Sequence, residues 1–218
     1  MRTALALLLL LSPPLLAQQA PPRFMYIYRD SLKRGVDSTY RVIEDEAAQI
    51  CADLKCPNPY LALESLNGAH EAWWLNAFGS EADTTRVVNA YAANRPLTQA
   101  LDGVAKRKAA LVGTPIKGFA VYRPNLSLGP TWSVAGARFM VVTVTRSRRP
   151  AEGSVWEMAD STLYIFRPVG TRQEAEALAR EQGARVFAVR PNWSMPAPEW
   201  VAYDPDFWRL APAPKSRR

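Results

Sequence analysis

Tyr60-Leu61-Ala62-Leu63-Glu64-Ser65-Leu66, then Asn67-Gly68, then Glu71-Ala72-Trp73-Trp74-Leu75-Asn76-Ala77-Phe78: on both sides of the Asn-Gly pair, apolar residues alternate with small or polar ones. Alternation with a period of two marks a strand with one buried face, and Asn-Gly supplies the positive φ angles of a tight hairpin turn at little steric cost. The stretch predicts two antiparallel strands. Successive strand residues point to opposite faces, so Trp74 and Asn76 share one face and Trp73 takes the other.

On the N-terminal side, Phe24 to Arg29 (FMYIYR) is short, aromatic and β-branched, and predicts a strand covered on both faces. From Ser38 to Leu54 the apolar positions Tyr40, Ile43, Ala47, Ile50, Cys51 and Leu54 fall three or four apart, with Glu44, Asp45, Glu46 and Asp53 on other faces, which predicts a helix laid on a sheet. On the C-terminal side, Ser80 with Asp83 makes a capping-box-like start to a helix carrying Val87, Val88 and Tyr91. A second helical segment runs from Pro96 to Leu111, and Gly118 to Tyr122 is a strand stopped by Arg123-Pro124. Strand, helix, strand, strand, helix, strand is the ferredoxin-like order, an α+β unit with helices on one face of an antiparallel sheet.

The pattern then begins again. Arg138-Phe139-Met140 opens RFMVVTVT as Arg23-Phe24-Met25 opened RFMYIY, and Phe187-Ala188-Val189-Arg190-Pro191-Asn192-Trp193-Ser194 echoes Phe119-Ala120-Val121-Tyr122-Arg123-Pro124-Asn125-Leu126-Ser127. Two echoes in one order point to an internal duplication. The paired landmarks lie 115 and 68 residues apart, so the later copy is shorter by 47 residues and is expected to lack its first helix and the strand after it. It retains a strand near Thr162 to Phe166 and a helix capped by Thr171 with Glu174, carrying Leu178 and ended by Gly183. The expected organisation is residues 23–127 as the first repeat, 137–195 as the second, shortened repeat, and 196–218 as a Pro-rich basic tail.

Residues 1–17 have the three parts of a cleaved export signal: Arg2, an apolar run from Ala4 to Leu11, and a small residue at Ala17. The run is well short of the roughly 20 residues that cross a bilayer. No transmembrane segment is expected, and the mature chain is placed in the periplasm or outside the cell. The net charge of +7 is scattered apart from the terminal Lys215, Arg217 and Arg218, so nucleic acid is not an expected partner. Cys51 and Cys56 can close a short loop in an oxidising compartment. One histidine cannot complete a Cys/His zinc cluster, so no metal site is expected, and no nucleotide-binding or serine-hydrolase motif is present.

His70-Glu71-Ala72-Trp73-Trp74-Leu75-Asn76-Ala77-Phe78, leading into Ser80-Glu81-Ala82-Asp83, resembles the strand-to-helix step of the dimeric α/β-barrel superfamily, which includes the antibiotic-biosynthesis monooxygenase and NIPSNAP-like domains. The resemblance covers residues 24–124 and reaches the second half only through its repeat. It implies two ferredoxin-like sheets joined in a barrel, within one duplicated chain or across a homodimer. It also implies a cavity between helices and sheet for small apolar or aromatic ligands. Some members oxidise polyphenols without a metal or flavin, and others degrade or use haem.

Candidate residues follow. In monooxygenase relatives an asparagine and a tryptophan help hold substrate and oxygen, which singles out Asn76 with Trp74, and places Tyr91 or Tyr122 near a substrate; the alternative is that the tryptophans are core. His70, the single histidine, is a candidate proton acceptor or axial haem ligand, or a solvated side chain beside the turn. Arg123 and Arg190 present equivalent guanidinium groups to an anionic ligand, or simply enter two Pro-Asn turns. Trp132, Trp156, Trp193, Trp200 and Trp208 either stack on ring ligands or replace core lost with the missing helix. Catalytic residues are not assigned and no cofactor is called for. The chain is expected to bind a small apolar or aromatic ligand between its two repeats, as monomer or homodimer. The alternatives are a cofactor-independent or haem-linked monooxygenase-like enzyme and a non-catalytic structural or partner-binding module. Protein purified from its own host should begin near Gln18 by N-terminal sequencing; a chain that still begins at Met1 contradicts the export reading.

Overall fold

The computed structural model describes residues 20–129 and 132–209; the expected export signal at 1–17 and the last residues of the expected tail lie outside them. The first half comprises β1 (Phe24–Ser31), α1 (Asp37–Asp53), β2 (Leu61–Ser65), β3 (Glu71–Phe78), α2 (Glu81–Ala93), α3 (Arg95–Ala109) and β4 (Ile116–Tyr122). A 3-10 turn at Pro124–Leu126 and the two-residue β5 (Ser127–Leu128) lead to the second half. That half holds β6 (Phe139–Thr145), β7 (Ala151–Glu152), β8 (Ser154–Met158), β9 (Leu163–Val169), α4 (Arg172–Gln182) and β10 (Arg185–Val189), followed by a 3-10 turn at Pro191–Trp193, α5 (Pro198–Tyr203) and α6 (Pro205–Trp208). Local chemistry sets several boundaries. Ser80 Oγ accepts from Asp83 N at 3.1 Å and Thr171 Oγ1 from Glu174 N at 3.2 Å, satisfying otherwise unpaired N–H groups of α2 and α4. Gly183 closes α4 with φ +60°, which a side chain would resist.

Eight antiparallel strands close into a barrel in the order β1-β3-β2-β10-β6-β9-β8-β4. Each half contributes four adjacent strands in the same chain order: the first strand lies between the third and fourth, with the second outside the third. Two joints weld the halves, β10 against β2 and β4 against β8, so the fourth strand of each half pairs with the second strand of the other. Closure takes place within one chain.

The inward faces of the strands are mainly apolar, and their side chains pack together in the lumen. Trp73 meets Phe187 at 4.9 Å and Phe166 at 6.4 Å between ring centres, and Trp156 meets Phe166 at 5.7 Å. Met25, Ile27, Leu61, Leu63, Met140 and Val142 pack around them. Such edge-on aromatic packing adds about 0.5–1.5 kcal/mol per pair beyond burial. Trp132, Trp200 and Trp208 also belong to this core, with Trp208 Nε1 donating to the Ala135 carbonyl at 2.8 Å. At the other end Arg29 lies over the Trp73 ring and pairs with Glu71, which also accepts from Trp73 Nε1 at 2.6 Å and from Arg185 at 2.7 Å. Burial pushes the Glu71 carboxyl up, but Arg185, Trp73 and Arg29 outweigh it and hold it below its ordinary value.

Four expectations are corrected. The second half keeps its second strand, β8, and lacks only the helix before it. The face left bare is covered by Leu126 and Ala151 packed on Val155, Leu163 and Ile165. The later tryptophans do not fill that gap: Trp132, Trp156, Trp200 and Trp208 occupy the lumen, while Trp193 sits on the outer face of the first half. The segment from Pro198 to Trp208, expected within a tail, is two short helices that cap the barrel. Glu44, expected on an outward face of α1, is buried one turn below Tyr40.

The repeated Arg-Pro-Asn-x-Ser runs form a reciprocal clasp across the two joints. After β4, Arg123 N donates to the Val155 carbonyl at 2.8 Å, Ser127 Oγ accepts from Val155 N at 3.0 Å, and Arg123 Nε reaches Glu157 at 2.6 Å. After β10, Arg190 N donates to the Ala62 carbonyl at 2.9 Å, Ser194 Oγ accepts from Ala62 N at 2.9 Å, and Arg190 binds Glu64. Each serine hydroxyl also donates back to its own arginine carbonyl. Each glutamate takes a second arginine, Arg148 on Glu157 and Arg41 on Glu64. The two guanidinium groups are thus committed to opposite halves of the chain.

Ser194 is fully buried and Ser127 only half-buried. In urea denaturation Ser194→Ala should therefore cost about 1–3 kcal/mol, because a buried backbone N–H loses its acceptor, and Ser127→Ala about 1 kcal/mol or less. Equal and negligible costs would contradict the clasp.

Candidate functional site

β1, β3 and β4 lie side by side, and their outward residues make one aromatic face. Register sets Tyr26 opposite Asn76 and Phe119, and Tyr28 opposite Trp74. The rings touch: Tyr26 and Phe119 at 5.0 Å, Tyr28 and Trp74 edge-on at 5.8 Å, Phe78 and Phe119 at 6.2 Å. Helix α1 covers β2 and β3, where Tyr40 packs with Ala62, Ala72 and Trp193. Toward β4 the cover ends. Tyr26, Tyr28 and Trp74 are half-buried, and Phe119 is 45 % exposed.

A buried charge cluster forms the floor beside these rings. Leu97, Leu101, Val104 and Lys108 recur at helical spacing on α3, and this stripe carries Lys108 inward. Its Nζ lies 3.0 Å from Asp30 Oδ2 and 3.1 Å from Glu44 Oε1, and 4.5 Å from the centre of the Trp74 ring. Tyr40 OH donates to Asp30 Oδ2 at 2.9 Å. Burial alone would push the Lys108 ammonium down; Glu44 and Asp30 outweigh it and hold it above its ordinary value. Burial raises Glu44, and burial followed by the nearby Glu44 and Asp30 charges drives Tyr40 far above the phenol range. Tyr28, shared between the open face and the cluster, is raised by burial and then by Asp30, so its hydroxyl stays protonated. The arrangement offers flat apolar stacking beside a fixed ion pair and a phenol able to donate a hydrogen bond.

The structure places Trp74 and Asn76 on this face, as the alternation required, with Asn76 Oδ1 accepting from Asn58 Nδ2 at 3.0 Å. Tyr91, half-buried on α2, approaches Tyr60, whose ionisation it opposes. The other candidates lie elsewhere. Tyr122 points into the lumen against Trp156 at 5.4 Å. His70 sits beyond the barrel end, 39 % exposed, with Nε2 3.0 Å from Asp37. Six residues of extended chain separate it from Asn76, about 20 Å. Arg123 and Arg190 are in the clasps, and Cys51 and Cys56 are bonded to each other at the end of α1, their Cα atoms 4.7 Å apart.

Sequence reasoning missed Tyr26, Tyr28, Phe119 and Lys108. A uniformly apolar β1 reads as covered on both faces, and Lys108 reads as the last of the solvated run Lys106-Arg107-Lys108; only its continuation of the Leu97 stripe marks it as inward.

No family model matches the chain, and no curated protein matches it. Among solved structures, it is similar to a "putative monooxygenase" from Fusobacterium nucleatum subsp. nucleatum at 7 % identity and TM-score 0.49, covering 82 % of this chain and 94 % of that one. It is also similar to a second "putative monooxygenase", from Lactobacillus acidophilus, at 8 % identity and TM-score 0.41, covering 85 % and 89 %. A mutant chlorite dismutase from Candidatus Nitrospira defluvii matches at 10 % identity and TM-score 0.37, covering 78 % and 92 %. Likenesses at this level carry no residue-level assignment.

Replacing Lys108 by methionine leaves Asp30 and Glu44 buried together without a counter-ion, and should cost about 3–5 kcal/mol at neutral pH. The loss should shrink as pH falls, because burial raises Glu44 so that it takes up a proton above the ordinary carboxylate range, and a neutral carboxyl needs no partner. In the unaltered protein the raised Lys108 keeps its contribution below the unfolded value of about 10.4 and loses it as pH rises through the folded value. Denaturant titrations across pH check both signs; a pH-independent loss would contradict the cluster.

Proposed function

We propose that this is an exported, single-chain barrel of two ferredoxin-like halves, the second without its first helix, that binds a small, flat, apolar or aromatic ligand on the outer face of its first half. The observation that carries the reading is the two neighbouring ring pairs, Tyr26 with Phe119 and Tyr28 with Trp74, on one strand face left half-open beside the Lys108 cluster. Large contiguous aromatic surface is usually covered unless it serves recognition. Among the described residues the lumen is packed with side chains, which favours the outer face over a site between the two halves. Closure of the barrel within one chain favours a monomer over a homodimer that shares the barrel.

A catalytic form of the same site, resembling the cofactor-independent monooxygenases, is the second reading. It is favoured by Tyr28, whose ring lies between the open face and the Lys108 cluster, with the Lys108 ammonium 5.5 Å from its centre. A haem-linked form would need His70, which lies with Asp37 at the barrel end rather than at this face. Oxygen uptake with a dihydroxynaphthalene distinguishes the catalytic form from simple binding.

Equilibrium dialysis with 2-naphthol tests the binding site. Trp74→Ala and Phe119→Ala should each weaken retention by about three- to tenfold, the equivalent of one aromatic contact of about 0.5–1.5 kcal/mol. Unchanged retention in both variants would remove the site.

A further inference from the structure

A second concavity lies on the opposite half, beside the start of α4. Its volume is about 340 Å³. That falls in the range of small-molecule sites, roughly 300–1,000 Å³. Arg167, at the end of β9, supplies its cationic wall, and Glu152 and Glu174 supply acidic ones. Leu178, Val169 and the ring of Tyr203 supply apolar ones.

Two glycines are needed for these walls to stand where they do. A Cβ on Gly153, whose φ is +111°, would lie 2.6 Å from Arg167 Cγ and 2.8 Å from the Phe166 carbonyl oxygen, so only glycine lets the arginine stem pass. A Cβ on Gly136 would lie 2.9 Å from Tyr203 Cε1, so glycine lets that ring close against the loop. Tyr203 nevertheless remains 47 % exposed, a large ring with one open side.

The charges of the cleft are unevenly satisfied. The Arg167 side chain is 19 % exposed, and among the described residues its Nη1 is buried without an acceptor. Its partner is Glu152, 3.0 Å from Nη2 and 66 % exposed, a solvated carboxylate that holds the arginine weakly. Nη1 has no open side, so a ligand would take the arginine at the edge carrying Nη2, which Glu152 now holds, and a planar carboxylate suits a guanidinium edge. A ligand carboxylate taking Glu152's place would free that residue, leaving two acidic groups around one site. A simple anion would then face two like charges. A ligand carrying both a carboxylate and an ammonium would face neither imbalance.

We propose that this cleft binds a free α-amino acid with an apolar side chain: its carboxylate on Arg167, its ammonium between Glu152 and Glu174, and its side chain against Leu178 and Tyr203. The site is separate from the aromatic face of the first half, and the two stand or fall independently.

Isothermal titration calorimetry of the full chain with L-phenylalanine, N-acetyl-L-phenylalanine and L-phenylalanine amide tests it. The free amino acid should bind, and either blocked form should bind at least about tenfold more weakly, as expected when one partner of a desolvated charge pair is removed. Arg167→Gln should produce a loss of about the same size, and Glu174→Gln, at an exposed carboxylate, a loss of about two- to fivefold. Glu174 is exposed, so its variant keeps the test decisive if Arg167→Gln does not fold. Absence of binding by the free amino acid at millimolar concentration, equal binding of a blocked form, or unchanged affinity in Glu174→Gln would overturn the proposal. Retention of 2-naphthol should be unaffected by Glu174→Gln, which separates failure at this site from failure at the other.

Discussion

The reciprocal clasp is the contact on which the rest of the molecule depends. A four-stranded sheet of this kind has two edges, and each edge presents unpaired backbone groups and the border of an apolar face. Here the fourth strand of each half meets the second strand of the other, and the chain leaving each fourth strand turns at Arg-Pro-Asn to tie itself down with an arginine, a backbone pair and a serine hydroxyl. Glu64 and Glu157, buried in the joints, are tolerable because two guanidinium groups approach each of them. Neither half would have a closed core alone.

Closure also decides where recognition can occur. With Trp73, Trp156, Phe166 and Phe187 packed at its centre, the lumen is core rather than container. What remains is the outer surface, and its two halves differ. The first half keeps three helices that leave an aromatic row open along β1 and β4. The second has, in place of its first helix, Leu126 and Ala151 brought onto the sheet by the pairing of β5 with β7, and it carries a cleft beside α4. A near-symmetric barrel thereby carries two chemically different surfaces, an aromatic face beside an internal ion pair and a cleft walled by Arg167.

Much of this was legible in the sequence because it is local. Period-two alternation around Asn67-Gly68 identified the hairpin and the facing of Trp74 and Asn76, and Ser80, Thr171 and Gly183 marked helix ends that the structure keeps. The Arg-Pro-Asn echo was visible as a repeat, but its purpose was not: Arg190 and Glu64 are 126 residues apart, and no local pattern names a partner at that distance. Lys108 and Glu44 were hidden for a related reason. Charged residues on helices are normally solvated, and only mutual neutralisation across α1, α3 and β1 makes their burial tolerable. Strand β8 escaped notice because Ser154 to Met158 mixes serine and glutamate into a short run, and its glutamate faces an arginine supplied by the other half.

A barrel closed on itself and packed with side chains keeps a flat aromatic ligand out of the lumen and on the outer face of the first half. The most direct measurement is the set of indole N–H resonances in a proton–nitrogen correlation spectrum, recorded with and without 2-naphthol. The account predicts that the Trp74 signal moves, while those of Trp73 and Trp156, whose N–H groups are held by Glu71 and the Pro22 carbonyl, stay in place. Movement of the Trp73 and Trp156 signals with Trp74 unmoved would place the ligand in the lumen and contradict it.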